Sequence, residues 1–161
     1  MKVIGIDPGS RCMGWGLVAE TSGVVRLVDC GVIRPGNGSF EERLGVIFTR
    51  LAAVLETHAP EEAAVENVFT DKNILSALKL GQARGAAIAA CASRGVAVTG
   101  YEPALVKKTL VGTGRAEKAQ VAFMVGRILG VKPDWPADTS DALGCAICHL
   151  NMRRMNKLAG L

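Results

Sequence analysis

A short apolar run, Val3 to Ile6, closes on Asp7-Pro8-Gly9 and predicts a buried strand that ends in a turn. Trp15 to Ala19 and Val24 to Ile33 read as two further strands joined by a hairpin loop at Thr21-Ser22-Gly23, most simply as antiparallel neighbours. The period then changes. Ser39 with Glu42 forms a capping-box pattern, and Leu44, Ile47, Phe48, Leu51, Ala52 and Leu55 follow at helical spacing until Pro60. Ala63 to Val68 predicts a fourth strand, Asp71 is the expected cap of a second helix running to about Arg94 with Gly95 as its stop, and Val96 to Tyr101 predicts a fifth strand. Pro103 marks a helix start, Gly112-Thr113-Gly114 a break, and two helices follow from about Ala116 to Leu129 and from about Asp138 to Met155. The order βββ-α-β-α-β followed by helices implies an α/β fold with a mixed five-stranded sheet, three antiparallel strands then two parallel, flanked by helices on both faces.

The length of 161 residues fits one compact domain, residues 1–161. Nineteen Lys and Arg against fifteen Asp and Glu leave a net charge of +4, which permits a polyanionic partner without demanding one. The apolar run before Asp7 is too short for a signal peptide, and Lys79, Gln82 and Arg84 interrupt the most apolar later stretch, so neither secretion nor a membrane span is expected. Five cysteines at irregular spacing read as buried thiols of a reducing cytosol rather than a disulfide framework.

Four carboxylates stand where charge is expensive. Asp7 ends an apolar strand, Glu66 interrupts another, and Asp138 and Asp141 lie three apart at a helix start, projecting roughly 60° apart around its axis. Each has an ordinary structural reading: a turn aspartate, an outward-facing strand glutamate, and carboxylates complementing a helix dipole. Together they point to a divalent cation with oxygen ligands, Mg²⁺ or Mn²⁺, which relieves their mutual repulsion and leaves positions for phosphate oxygens. No H-E-x-x-H helix is present, which argues against a zinc hydrolase.

Ile6-Asp7-Pro8-Gly9 with Gly14, Val65-Glu66-Asn67-Val68-Phe69, Lys72-Asn73 with the run Ser76 to Gly85, Ala116 to Val121, and Asp138 with Asp141-Ala142-Leu143 occur in the order of a known family's motifs. Over nearly its whole length the chain resembles the RuvC family of bacterial crossover (Holliday) junction resolvases. That resemblance implies a ribonuclease H-like fold, a homodimer in the bacterial cytoplasm, cooperation with the RuvA–RuvB branch-migration machinery, and metal-dependent cutting of symmetric strands of four-way junction DNA. It makes Asp7, Glu66, Asp138 and Asp141 the catalytic and metal-binding carboxylates, with one or two ions per site, and matches Lys107 and Lys118 to basic positions of the active-site surface.

Phe69, at the end of the Glu66 strand, reads either as a core residue or as a wedge that stacks on an unpaired base; the resemblance favours the wedge. Lys108 and Arg115, near Lys107 and Lys118, are further candidates for phosphate contact. On the second helix Ala77, Gly81, Gly85, Ala89 and Ser93 recur every four residues as a shallow stripe, made either for the protein's own sheet or for the same helix of a second chain.

Cys145-Ala146-Ile147-Cys148-His149 fits a haem-attachment pattern but falls inside the last helix, so no haem is expected. Gly14-Trp15-Gly16 lacks the third glycine of a dinucleotide fingerprint, and Gly112 to Lys118 lacks the Gly-Lys-Ser/Thr of a phosphate loop. Two other functions compete: a sugar-kinase or actin-like ATPase, whose phosphate loop Asp7-Pro8-Gly9-Ser10 resembles but which needs two such subdomains, and a non-catalytic junction-binding module, in which at least one of the four carboxylates would be replaced.

Overall fold

A computed structural model describes residues 1–68 and 73–160. The strands are β1 (Lys2–Asp7), β2 (Met13–Thr21), β3 (Val24–Ile33), β4 (Glu62–Glu66) and β5 (Ala97–Tyr101), and the helices α1 (Phe40–His58), α2 (Ile74–Ser93), α3 (Pro103–Val111), α4 (Lys118–Leu129) and α5 (Ala137–Leu158). They form one sheet in the order β3-β2-β1-β4-β5. β1 to β3 are antiparallel, whereas β4 pairs parallel with both β1 and β5. The β2–β3 turn places Ser22 and Gly23 at φ 51° and 83°, the two left-handed residues that let a tight hairpin follow the strand twist.

Helices cover both faces. Ile47, Leu51 and Leu55 of α1 and Ala83, Ala87, Ala90 and Cys91 of α2 pack on Ile4, Ile6, Leu17 and Val65. On the opposite face Val106, Leu110, Val121, Val125, Leu143 and Ile147 of α3, α4 and α5 meet Val3, Val18 and Ala64. Burying each large aliphatic side chain contributes about 1.5–3 kcal/mol, which explains why the sheet is sandwiched and not left half-exposed.

Several boundaries differ from the sequence reading. β2 begins at Met13 because the long β3 reaches back to pair with it. β4 stops at Glu66. Asn73 caps α2 by accepting from the Ser76 amide at 3.2 Å; the expected cap Asp71 and the candidate wedge Phe69 lie outside the described residues. α4 starts at Lys118, where Glu117 and Gln120 cap each other reciprocally. The small-residue stripe does not face the protein's own sheet. Gly81, Gly85, Ala89 and Ser93 are exposed and Ala77 is half-buried, while the alanines at 83, 87 and 90 fill the core.

Helix α5 rests on the sheet at backbone contact. Gly5 of β1 pairs with Gly16 of β2, and Asp7 pairs with Gly14. A Cβ built on Gly5 would lie 1.8 Å from the Ala142 carbonyl oxygen, and one on Gly14 would lie 2.0 Å from that of Asp138. These glycines let the α5 backbone rest directly on β1 and β2, so the helix delivers its first turns to the strand ends. The Gly14-Trp15-Gly16 segment therefore has a packing role.

Candidate active site

Asp7 and Glu66 are the last residues of strands that lie side by side, since Ile6 pairs with Val65 in the parallel β1–β4 ladder. Side chains alternate along a strand. Ala64 points into the α5-side core, so Glu66, two residues on, faces α5 as well. Asp138 and Asp141 come from the first turns of that helix. A cleft of about 260 Å³ is lined by Asp7, Glu66, Asp141, Lys107 and Lys118, with Pro8, Asn67, Val68, Leu80 and Pro103 completing its wall. Asp138 stands beside it, close enough to add to burial in pushing the Cys12 thiol up.

Crowding sets the electrostatics. Burial pushes the Asp7 carboxyl up to about 8, and the charges of Glu66, Asp141 and Asp138 push in the same direction. Glu66 is also raised, by burial and then by Asp141, while its hydrogen bond with Asp7 and the cations Lys118 and Lys107 act the other way. Lys118 Nζ holds Asp141 Oδ2 at 3.0 Å and is itself raised by that contact. Asp141 is held by Lys118 and Asp138 lies beside the cleft, and among the described residues no three such groups form a closed ligand set.

The donors nevertheless suit a hard divalent cation. All four are carboxylates, and the nearby thiols do not compete: burial pushes Cys12 up to about 11 and Cys145 well above its ordinary value, so both stay protonated. No histidine intervenes. His149 bonds Tyr101 Oη at 2.9 Å and Glu62 Oε2 at 2.5 Å, and His58 lies 3.1 Å from Asp29. Cys145 and Cys148 are buried within α5, so the haem-like motif is core packing.

Lys108 and Arg115 are not brought to the cleft. Lys108 lies against Leu105, Thr109, Met152 and Met155 on another surface, and Arg115 is exposed in the turn before α4, its amide bonded to Thr113 Oγ1 at 3.3 Å. The sequence reading missed the support of β4. Arg84 of α2 donates from Nε to the Glu66 carbonyl at 3.1 Å and from Nη2 to Asn67 Oδ1 at 2.7 Å, and Asn67 Nδ2 donates to Glu102 Oε1 at 2.8 Å. A Cβ on Gly100 would sit 2.4 Å from Asn67 Oδ1, so this glycine makes room for the network. Arg84 and Asn67 stand in the segments that carry the resemblance, but nothing in the sequence pairs them.

The model of the family described as crossover junction endodeoxyribonuclease RuvC matches residues 3–149. The chain is 62% identical over 161 residues to the RuvC of Nitratidesulfovibrio vulgaris, covering all of this chain and 97% of that one. The chain belongs to the RuvC family. Among solved structures, the Thermus thermophilus RuvC in complex with Holliday junction substrate superposes with a TM-score of 0.89 at 39% identity, covering 97% of this chain and 96% of that one. The yeast mitochondrial Holliday junction resolvase, 14% identical with a TM-score of 0.71 over 96% of this chain and 80% of its own, shares the fold. The RuvC fold seen here is the ribonuclease H-like sheet with its carboxylates at one end. As a RuvC protein the chain is a crossover junction endodeoxyribonuclease, a metal-dependent hydrolase of DNA recombination and repair. Among the described residues no helix is long and apolar enough to cross a membrane.

Proposed function

We propose that Asp7, Glu66, Asp138 and Asp141 hold Mg²⁺, with Mn²⁺ as a substitute, and that one strand of a four-way DNA junction is cut there. The observation that carries the reading is one cleft that brings Asp7 and Glu66 at adjacent strand ends together with Asp141 of α5, with Asp138 beside it: buried carboxylates crowded in this way raise the Asp7 carboxyl and form a cluster that a divalent cation neutralises. When bound, the ion supplies Lewis-acid polarisation of the phosphate and activates water for attack. The carboxylates orient that water by hydrogen bonding. Lys107 and Lys118, on the wall of the same cleft, are placed to bind phosphate oxygens and offset charge as the water oxygen–phosphorus bond forms and the bond to the 3′ oxygen breaks. The test is a labelled synthetic four-way junction incubated with protein and Mg²⁺. Paired nicks on symmetric strands are expected, none with chelator, and equal cutting of linear duplex would overturn the reading.

The reading extends to a homodimer formed across the α2 stripe, acting as a single nuclease domain per chain in the bacterial cytoplasm with the RuvA–RuvB machinery. A Cβ on Gly81 or Gly85 would meet nothing within 4 Å, so these glycines are not required by the protein's own packing. Each costs roughly 0.5–1 kcal/mol relative to alanine in a helix, a cost explained by the close approach of a second helix across a two-fold axis. Ile74, Leu75 and Leu78 are exposed beside the stripe. Gly85→Leu should then give a folded monomer with unchanged circular dichroism that binds junctions weakly and loses paired incision. A dimer of wild-type sedimentation would rule this placement out.

A further inference from the structure

Several cations of this chain, the Lys107 side of the cleft included, make no ion pair among the described residues, and one set of them collects around the turn after Asp7. Three arginines elsewhere are neutralised in place: Arg94 by Glu56 at 2.8 Å, Arg154 by Glu20 at 2.6 Å, and Arg153 by Glu62. Around the turn that follows Asp7 the cations are not. Arg11 lies in that turn, Arg34 follows β3, Arg43 and Arg50 stand two turns apart along one side of α1, and Lys79 comes from α2; among the described residues none of the five makes an ion pair.

Their placement is built. Arg43 lies 5.5 Å over the Phe40 ring and Lys79 lies 5.9 Å from it, so the aromatic gathers cations from two helices. Arg43 Nη1 donates to the Ser10 carbonyl at 3.3 Å, and Arg50 Nη1 to the Arg34 carbonyl at 3.2 Å. Carbonyl contacts orient a guanidinium without neutralising it. Arg43 Nε is buried with no hydrogen-bond partner, a cost that intramolecular bonding does not recover. The acids nearest Arg43 in the sequence are Glu41 and Glu42; Glu42 is engaged in the α1 cap with Ser39, and neither forms an ion pair with the group.

The group meets the catalytic cluster at the turn after Asp7. Ser10 is three residues beyond Asp7, and Cys12 feels both the Asp138 carboxylate and the Arg34 charge. We propose that Arg43 and Lys79, gathered around Phe40, together with Arg34 and Arg50, which are joined by the Arg50–Arg34 carbonyl bond, bind the phosphate backbone of the duplex arm that leaves the cut site past Asp138. The proposal rests on the reading of the cluster as a DNA-cutting site and adds where the DNA runs: along this set of cations as well as the lysines of the cleft. Guanidinium groups suit this task because their planar forks match phosphate oxygens.

The test uses Arg34→Ala/Arg50→Ala, two exposed positions outside the carboxylate cluster and the lysine wall, in the full-length protein. Binding to a four-way junction is measured in Ca²⁺ over a series of salt concentrations. Each phosphate contact contributes about 0.9 to the slope of log affinity against log salt, so the double variant should lose about two from that slope, bind at least about tenfold more weakly in low salt, and melt as wild type does. Arg34→Lys/Arg50→Lys should recover most of the slope. Phosphate-ethylation interference provides the second measurement: wild type should be sensitive to modified phosphates on one arm flanking the cut, and the double alanine variant should not. A folded double variant with wild-type slope and affinity, or interference limited to phosphates on the Lys107 side, overturns the proposal. If wild type cuts linear duplex as readily as junctions, the functional reading fails instead, and the slope on duplex still decides whether these arginines bind backbone.

Discussion

Asp7→Asn should abolish junction cleavage, by roughly 10³-fold or more, while junction affinity stays within about tenfold. If the carboxylate cluster holds its cation as proposed, several kcal/mol of transition-state stabilisation depend on it, and an amide is a poorer and neutral ligand. The proposed DNA contacts, by contrast, are cationic side chains that the substitution leaves in place. Glu66→Gln should behave likewise. Stability should move the other way. The Asp7 carboxyl is raised to about 8 in the fold, above its unfolded value near 3.8, chiefly by burial and then by its acidic neighbours. The folded state therefore binds this proton more tightly than the unfolded chain. Stability from this group is fully present below the unfolded value and is lost as pH rises through the folded one. In chelator at neutral pH, Asp7→Asn should melt no lower than wild type, and the fall in wild-type melting temperature between about pH 4 and 8 should flatten in the variant. Mg²⁺ should raise the melting temperature of wild type and have much less effect on Asp7→Asn. Efficient cutting by the folded variant in Mg²⁺, or an equal Mg²⁺ stabilisation of both proteins, would remove Asp7 from the metal site.

Much of this arrangement is legible in the sequence because its signals are contrasts. A carboxylate that closes or interrupts an apolar strand stands out, and alternating strand and helix periods fixed the number and order of elements that the sheet displays. What was hidden lacked contrast or needed the third dimension. Helix α2 carries small residues on both sides, Ala83 and Ala87 inward and Gly81 and Gly85 outward, so hydrophobicity could not tell the core face from the free one. Lys107 and Lys108 are adjacent, yet successive helical side chains point about 100° apart, and only Lys107 reaches the cleft. Arg84 supports the Glu66 strand end across 18 positions of sequence, and Arg43 reaches Ser10 across 33. Such pairs emerge only when α1 and α2 lie on the same face of a formed sheet.

The glycines beneath α5 are the clearest case of a role set by register alone, and they yield a prediction of comparable size. Gly14 sits opposite Asp7 in the β1–β2 ladder and under the Asp138 carbonyl. Gly14→Ala would place its methyl 2.0 Å from that oxygen and 2.4 Å from its carbon, so the first turn of α5 must lift from the sheet. The obstacle is helix backbone, which no rotamer change can move aside. Overpacking of this kind costs typically 1–3 kcal/mol. The larger effect should fall on chemistry, because lifting that turn carries Asp138 and Asp141 away from Asp7 and Glu66, and a misplacement of about 1 Å can cost 10²-fold in rate. Gly5→Ala should lower stability further, since its methyl would meet Ala142 and Ala146 in the middle of the interface. Gly45→Ala supplies the contrast: this α1 glycine is exposed, a Cβ there would touch nothing within 4 Å, and the substitution should stabilise by roughly 0.5–1 kcal/mol with cleavage unchanged. Thermal melting and junction cleavage on the three variants separate the cases. Wild-type cleavage by Gly14→Ala would mean that α5 need not rest on the sheet to bring the carboxylates together.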